Sequence, residues 1–536
     1  RQVPYGDFGG GISDDTDLTE QWPGLALMGV DPDKIRDSLN ALCEAAYKNN
    51  MFTGGLATLV TDELHSYEDG INSNSEAFYL NWGEPLVAER LMQTAKDLTD
   101  RIILTNPNGH MHFATNWFGG PKVYREGPWE WGKPYSYVIT HPLLLLGQYN
   151  ANPIARKTVI GLADGYLAHG KQGQDGVWNY PEEINWRTDA ERGKDLSAGT
   201  GLEAPLQDFW AAWRWTNDAK YLRPLESVAA KSGPQALGLL NEDVIEGMGH
   251  LGDWGKALTA RAGRSGSGKG DGFDAYMAWV ATGDVRWLEK LHAAAIQSKS
   301  QRIWMETEGH WWVDRVELPS EILQRERLGG VALKRNHLYP GHTVSWRFAE
   351  PDGAELVAIL LSEVSPNHFK VTAYNLADHP LAASMTAWNV TAGHWKMNGD
   401  KPVDLERSAS VELSFAPGQS IYEFTLDQPV TPTDQRADLG IGRGDVAVDG
   451  RGVHVTANSL GALPAPGGTL TLTDQAGKVM ASAKVPALEA PTDLLPKKAV
   501  VTLTPPKGSS LSGAKIEVSM EGGPEVTRMN NSLVLP

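Results

Sequence analysis

Tyr137 and His141 stand four residues apart in Tyr135-Ser136-Tyr137-Val138-Ile139-Thr140-His141, and Arg187 follows in Asn185-Trp186-Arg187. On a helix that spacing places a phenol and an imidazole on one face. Pro142 leaves a second reading open, in which the helix starts there and both side chains sit in the loop before it. Either way the two groups suit proton transfer near neutral pH, their competing roles being a His satisfied by backbone at the helix start and a packed Tyr137. Arg187 can clamp a carboxylate through paired hydrogen bonds, its competing role being a surface ion pair with Asp189 or Glu191. Elimination at a uronate needs these three functions. The sugar carboxylate is neutralised, a base takes the C5 proton, and an acid protonates the leaving oxygen. His141, Tyr137 and Arg187 are therefore the expected catalytic set.

Tryptophan supplies the expected sugar contacts. All 19 Trp lie between Trp22 and Trp395, many in polar, Gly-rich surroundings such as Asn81-Trp82-Gly83, Asn116-Trp117-Phe118-Gly119-Gly120, Trp129-Glu130-Trp131-Gly132 and Asn185-Trp186-Arg187. A Trp stacks on the apolar face of a sugar while its N–H finds a partner at the edge of a wet groove. Asn81, Trp82, Asn116, Trp117, Trp129 and Trp186 are the expected substrate contacts. His110 and His112 join them from the segment His110–Trp117, and His342 from Arg335-Asn336-His337-Leu338-Tyr339-Pro340-Gly341-His342, a loop able to close one end of a cleft. The competing roles are ordinary core packing for Trp and helix capping for Asn.

Other chemistries leave weaker traces. His110-x-His112 offers two ligands on one strand face, but no third is evident, so neither a metal nor a cofactor is expected. Gly263–Gly270 lacks the spacing of a phosphate loop and reads as a flexible connection. Glycoside hydrolysis needs two carboxylates across the scissile bond. Glu68, Asp69, Glu182, Glu183, Glu203, Asp208, Asp271 and Asp274 are available for it, which keeps a hydrolase as the alternative. A non-catalytic glycan-binding protein is a third reading.

The formal charge of −18 over 536 residues argues against nucleic acid and anionic membranes as partners. It permits an acidic polysaccharide or glycan side chain held by a local cluster of Arg and His. No apolar run reaches the length of a membrane span. The lone Cys43 excludes an internal disulfide and reads as a buried, inert thiol. A start at Arg1, without Met or leader, suggests a processed periplasmic or secreted protein.

The elements that must position these residues fall into three stretches. Helical periodicity marks Asp33–Asn49, Glu84–Ile103, Tyr135–Tyr149, Pro153–Ala168, Leu202–Trp215, Ala219–Ala230, Phe273–Ala281 and Val285–Ser298. Helix pairs joined by long loops point to an α/α toroid over residues 1–300. His110–Tyr124 interrupts them as a hairpin or long loop. Period-two segments at Ile303–Glu306, Trp311–Val316, Val331–Leu333, Thr343–Trp346, Leu356–Ile359, Phe369–Tyr374 and Ser420–Leu426 predict an antiparallel β-sandwich over 301–427. After the linker Gln428–Thr433, short strands spaced by Gly and Pro predict an immunoglobulin-like accessory domain over 434–536, whose removal should leave a folded, active protein.

The stretches Arg315–Glu321 and Tyr339-Pro340-Gly341-His342-Thr343-Val344-Ser345-Trp346 resemble bacterial exported proteins with a twin-arginine signal. With the toroid-plus-sandwich order, the chain is similar to polysaccharide lyases over about residues 15–425. The resemblance is to the type that removes L-rhamnose from D-glucuronate, and it implies a uronate glycan as substrate. It is architectural and assigns no catalytic residue.

Overall fold

The computed structural model describes residues 19–196, 202–233, 251–264, 271–300, 320–335, 337–407, 409–450 and 452–536. The strands expected at Ile303–Glu306 and Trp311–Val316, most of Arg315–Glu321 and the loop beyond Gly263-Arg264 lie outside these residues. Among those described, the protein is mixed α and β: helices dominate the first part and antiparallel sheets the rest.

Helix Pro32–Lys48 turns Leu39, Leu42, Cys43 and Ala46 inward. Burial pushes the Cys43 thiol up to about 12, so it is inert at neutral pH. Helix Pro85–Asp97 ends earlier than its periodicity predicts. The chain widens into a π turn over Leu98–Ile102 and then enters strand Ile103–Thr105. Helix Asn72–Leu80 is invisible to periodicity because it is buried nearly all round, with Asn72, Ser73, Asn74, Ser75 and Glu76 inside as well as Phe78 and Tyr79. Helices Pro153–Leu167, Glu203–Thr216, Ala219–Ser232, Asp271–Thr282 and Arg286–Ser300 follow their predicted spans closely. Asn152 starts the first of these, its side chain accepting from the Ile154 and Ala155 amides at 3.0 and 3.1 Å.

The expected hairpin forms as two small units. Ile103–Thr105 pairs with Met111–Phe113, while Trp117–Phe118 lies between Thr61–Asp62 and Val123–Tyr124. A further sheet joins Trp178–Asn185 to Glu191–Leu196 and to Trp131–Gly132.

After helix Ser320–Leu328 the sequence reads as strand at Val331–Leu333, but those residues are a buried loop. Two antiparallel sheets follow. Val344–Phe348, Leu381–Ala387 and Ser410–Phe415 form one. Val357–Ser365, His368–Asn375, Gly418–Pro429, Gly393–Met397 and Lys401–Leu405, in that spatial order, form the other. Alternate residues of both, among them Met385, Phe415, Phe369 and Phe424, enter the same core as the helices. The sheets meet where Tyr422 packs on Phe415 and its hydroxyl donates to the Ser414 carbonyl at 2.6 Å.

Residues from Leu439 to Leu535 fold into two four-stranded antiparallel sheets around their own core, including Val453, Val455, Leu470, Leu503 and Ile516. Leu460, Leu494 and Val526 turn instead into the helical core. The junction is polar as well. Tyr149 donates to Asp438, and the Asn150 and Asn152 amides donate to the Leu460 and Pro491 carbonyls at 2.8 and 2.9 Å. The Asn530 amide donates to the Gly83 carbonyl at 2.9 Å. Removing residues 434–536 would strip these partners from buried groups, which opposes the expectation that this part is dispensable.

Candidate functional site

The expected pairing of Tyr137 with His141 across one helical turn does not form. Residues Pro134–Thr140 make a 3-10 turn, and the helix begins at His141, just before Pro142. Tyr137 points away, its hydroxyl donating to the Leu162 carbonyl at 3.1 Å among Phe113 and Tyr166. His141 meets a different phenol, Tyr67, edge to face at 5.4 Å between ring centroids.

Tyr67 comes from a segment whose backbone is unusual. Asp62 caps the short helix Glu63–Ser66, accepting from both the amide and Nδ1 of His65 at 2.9 and 2.8 Å. The chain then makes a π turn over Tyr67–Ile71, with Gly70 at φ 150. A Cβ at Gly70 would stand 2.3 Å from the Phe52 ring, so glycine is required there. Such turns are common at functional sites. This one buries Tyr67, Glu68 and Asp69 together.

Arg335 closes the cluster. Its guanidinium lies 5.8 Å from the Tyr67 ring centroid and bridges Glu68 and Glu20 at 2.8 and 2.7 Å. Neither ring nitrogen of His141 and no donor or acceptor for the Tyr67 hydroxyl is satisfied by a well-formed hydrogen bond, although both residues are almost fully buried. Burial lowers His141 to about 3, opposed by the Lys334 backbone and aided by the Arg335 charge. Burial also raises the Tyr67 phenol well above its ordinary value, with Glu20 and Glu76 adding to it. Glu68 rises to about 7 through burial, against the pull of Arg335. At neutral pH the site therefore holds a neutral imidazole and a neutral phenol beside a guanidinium.

Arg187 sits elsewhere. It is half-exposed, 4.7 Å over the Trp186 ring and 4.0 Å from the Glu130 carboxylate, and it pairs with neither Asp189 nor Glu191. It belongs to a surface of aromatic and basic side chains. Trp117 and Trp129 pack at 4.7 Å, Arg192 lies 4.0 Å over Trp131, and the Trp186 amide donates to the Glu130 carbonyl. Asn116 supports this surface from beneath, its side chain donating to the Trp131 carbonyl at 3.2 Å. The strand pair of Asp62 with Trp117 connects it to the segment that carries Tyr67.

Four further expected sugar contacts lie away from that surface or beneath it, among them Trp186, whose indole is buried. Trp82 is in the core against Phe78 and Tyr149, with Arg407 3.9 Å over its ring. Asn81 exchanges hydrogen bonds with Asn40 at 3.1 and 2.9 Å. His342 is fully buried, its Nδ1 2.6 Å from the Tyr79 hydroxyl, and it ties helices to sheets without facing a cleft. Several carboxylates of the hydrolase reading have structural partners: Glu183 pairs with Arg192, Glu182 accepts from the Lys194 amide at 2.9 Å, and Asp274 pairs with Arg261 at 2.6 Å. The buried Asp208 accepts from Thr140 at 3.3 Å. The side chains of Glu203 and Asp271 lie outside the described residues.

Residues distant in sequence join His110 and His112 in a group that could hold a metal ion. His110, His112, His169 and Asp189 each offer a ligand atom, all within 4.8 Å of one another. Asp189 accepts at 3.0 Å from both His110 Nδ1 and His112 Nε2 and lies 3.7 Å from His169 Nε2. Burial lowers His112 to about 4, against its bond to Asp189. Gly165 permits the approach, since a Cβ there would meet the Met111 carbonyl oxygen at 2.2 Å. His169 and Asp189 do not stand out in the sequence because they lie 57 and 77 residues from His112 and only the fold brings them together.

No family model and no curated protein matches the chain. Among solved structures, one described as "Crystal structure of unsaturated glucuronyl hydrolase specific for heparin" matches with 14% identity and a TM-score of 0.29. The match covers 42% of this chain and 61% of that one, so the chain spans about three fifths of its length. At that score the likeness supports no conclusion about fold or activity.

Proposed function

We propose that the protein cleaves an acidic polysaccharide or glycan side chain by β-elimination at a uronate. The reading rests on one observation: the phenol of Tyr67, its hydroxyl without a hydrogen-bond partner, meets the imidazole of His141 in a buried site beside the Arg335 guanidinium. Buried polar groups are rarely left unpartnered, and a reacting ligand is one reason to keep them so. Both rings are shielded in this conformation, so the reaction requires an opening that admits the sugar.

In this reading His141, neutral at working pH, takes the C5 proton. The electron pair forms the C4–C5 double bond as the C4–O bond breaks, and Tyr67 donates its proton to the departing oxygen. Arg335 turns from Glu68 to the uronate carboxylate, which makes the C5 proton acidic enough to remove. Glu68, already raised to about 7, takes up a proton as it loses Arg335. Trp117, Trp129 and Trp131, with Arg187 and Arg192, hold the neighbouring sugars.

The finer architecture belongs to the same proposal. It comprises an α/α toroid to about residue 300, an antiparallel β-sandwich over 301–427 that includes helix Ser320–Leu328, and an immunoglobulin-like domain over 434–536. A periplasmic or secreted setting goes with that substrate. No helix among the described residues is long and apolar enough to cross a membrane.

Incubation with uronate-containing glycans should raise ultraviolet absorbance, because elimination leaves a conjugated unsaturated uronate. One observation favours a second reading, hydrolysis: burial raises Glu68 to about 7, as a general acid requires, with Asp69 beside it in the same buried turn. New reducing ends without the chromophore would support it. Binding without new ends would leave only a glycan-binding protein.

A further inference from the structure

We propose that His110, His112, His169 and Asp189 form a zinc-class metal site that clips three separate loops together. The claim is independent of the elimination chemistry. It concerns residues outside the Tyr67 cluster and is read by metal content and stability.

The donor set decides the class of ion. Three imidazoles and one carboxylate suit zinc and its neighbours among the divalent transition metals, whereas calcium and magnesium prefer oxygen. Zn–N bonds of about 2.0–2.1 Å place the ligand atoms of a tetrahedral site roughly 3.3 Å apart. The Asp189 oxygens already lie 3.0, 3.0 and 3.7 Å from His110, His112 and His169. All four ligand atoms lie within 4.8 Å of one another, so side-chain adjustment would bring them to that spacing.

Two observations beyond the cluster itself point to an ion. His169 Nε2 is buried and has no hydrogen-bond partner, although it is directed at the Asp189 carboxylate. Its other nitrogen, Nδ1, bonds Glu191 at 2.8 Å, and Glu191 is held in turn by Lys171. A carboxylate behind the imidazole of this kind fixes the ring so that the free nitrogen faces a metal. Asp189 is oriented likewise, by side-chain amides of Asn106 and Asn108 at 2.5 and 2.7 Å.

Four protein ligands would fill a tetrahedral shell, which makes the role structural. His110 and His112 come from the hairpin around Met111–Phe113, and His169 from the end of helix Pro153–Leu167. Asp189 comes from the turn between strands Trp178–Asn185 and Glu191–Leu196, the turn that carries Trp186 and Arg187. The ion would thus set the position of the aromatic and basic surface.

The test uses the full chain, stripped with a chelator and reloaded with zinc or cobalt alone. One ion per chain, a rise in Tm with added zinc and the visible bands of tetrahedral cobalt are expected. His112→Gln and His169→Gln should each abolish loading, and Glu191→Gln should weaken it about 10–100-fold. The exposed His394→Gln should load normally. Should a ligand variant fail to fold, the cobalt spectrum of the parent chain and the affinity of Glu191→Gln still decide. Failure of the parent chain to bind zinc or cobalt stoichiometrically overturns the proposal, as does loading that survives both His→Gln variants.

Discussion

Tyr67→Phe should make this protein more stable and nearly inactive at once. Tyr67 is fully buried and its hydroxyl has no hydrogen-bond partner. A buried polar group left unsatisfied costs about 1–3 kcal/mol, and the substitution removes that cost. The space left by one oxygen returns only a few tenths of a kcal/mol, at about 24 cal/mol per Å³ of cavity. The net effect is a gain of about 1–2 kcal/mol, seen as a higher urea midpoint. Turnover should move the other way. Loss of a general acid typically lowers rate about 10²–10⁴-fold, equivalent to roughly 2.7–5.4 kcal/mol in the barrier. Tyr137→Phe is the control. Its hydroxyl donates to the Leu162 carbonyl at 3.1 Å, so the variant should lose about 0.5–1.5 kcal/mol of stability and keep its turnover. The assay pairs urea denaturation with the initial rate of ultraviolet absorbance on a uronate glycan. A Tyr67→Phe protein that is less stable, or one that turns over like the parent, refutes the argument.

Four further outcomes follow from the structure. Burial holds His141 at about 3 against an ordinary 6.5, so its neutral form contributes stability that is complete above pH 6.5 and declines as pH falls toward 3; His141→Gln should flatten the loss of urea midpoint between about pH 7 and pH 4.5, and an unchanged slope would contradict the assignment. Tyr149→Phe removes the donor to the buried Asp438, and calorimetry should show a loss of about 1–3 kcal/mol, whereas deletion of residues 434–536 should yield protein that aggregates or unfolds on purification. Trp117→Ala and Trp129→Ala, which break a ring pair spaced at 4.7 Å, should raise KM for glycan with little change in kcat, and a kcat effect alone would place these rings outside substrate binding.

Amphipathic helices were the most legible part of the sequence, because one buried face leaves a period that propensity does not obscure. Pro153–Leu167 and Ala219–Ser232 illustrate this. Asn72–Leu80 was not legible, since polar and apolar residues are buried on every side and no contrast survives. The surroundings of His141 were only partly legible for a similar reason. His141 stood out through its spacing from Tyr137, yet Pro142 forces the helix to begin there and turns the two apart. Tyr67 and Arg335 are 268 positions apart in sequence and meet only through the packing of helices on sheets. His169 and Asp189 are likewise brought to His110 and His112 only by the fold. Tryptophan was informative in composition but not position by position, because Trp82 in a Gly-rich stretch proves as buried as any core residue.

The bonds joining the helical part to residues 438–530 impose an order on assembly. Asn152, which starts a helix in the first third of the chain, also donates to the Pro491 carbonyl, 339 residues later. Asn150 waits 310 residues for the Leu460 carbonyl, and Gly83 waits 447 for Asn530. During synthesis the ends of these early helices therefore emerge long before their partners. The helical part would stay incomplete, with polar groups open to water, until nearly the whole polypeptide has been made. Contacts of such long range form slowly, and folding intermediates that leave surfaces unmatched are prone to aggregate. Expression of the helical part alone should consequently demand more from chaperones than expression of the full chain.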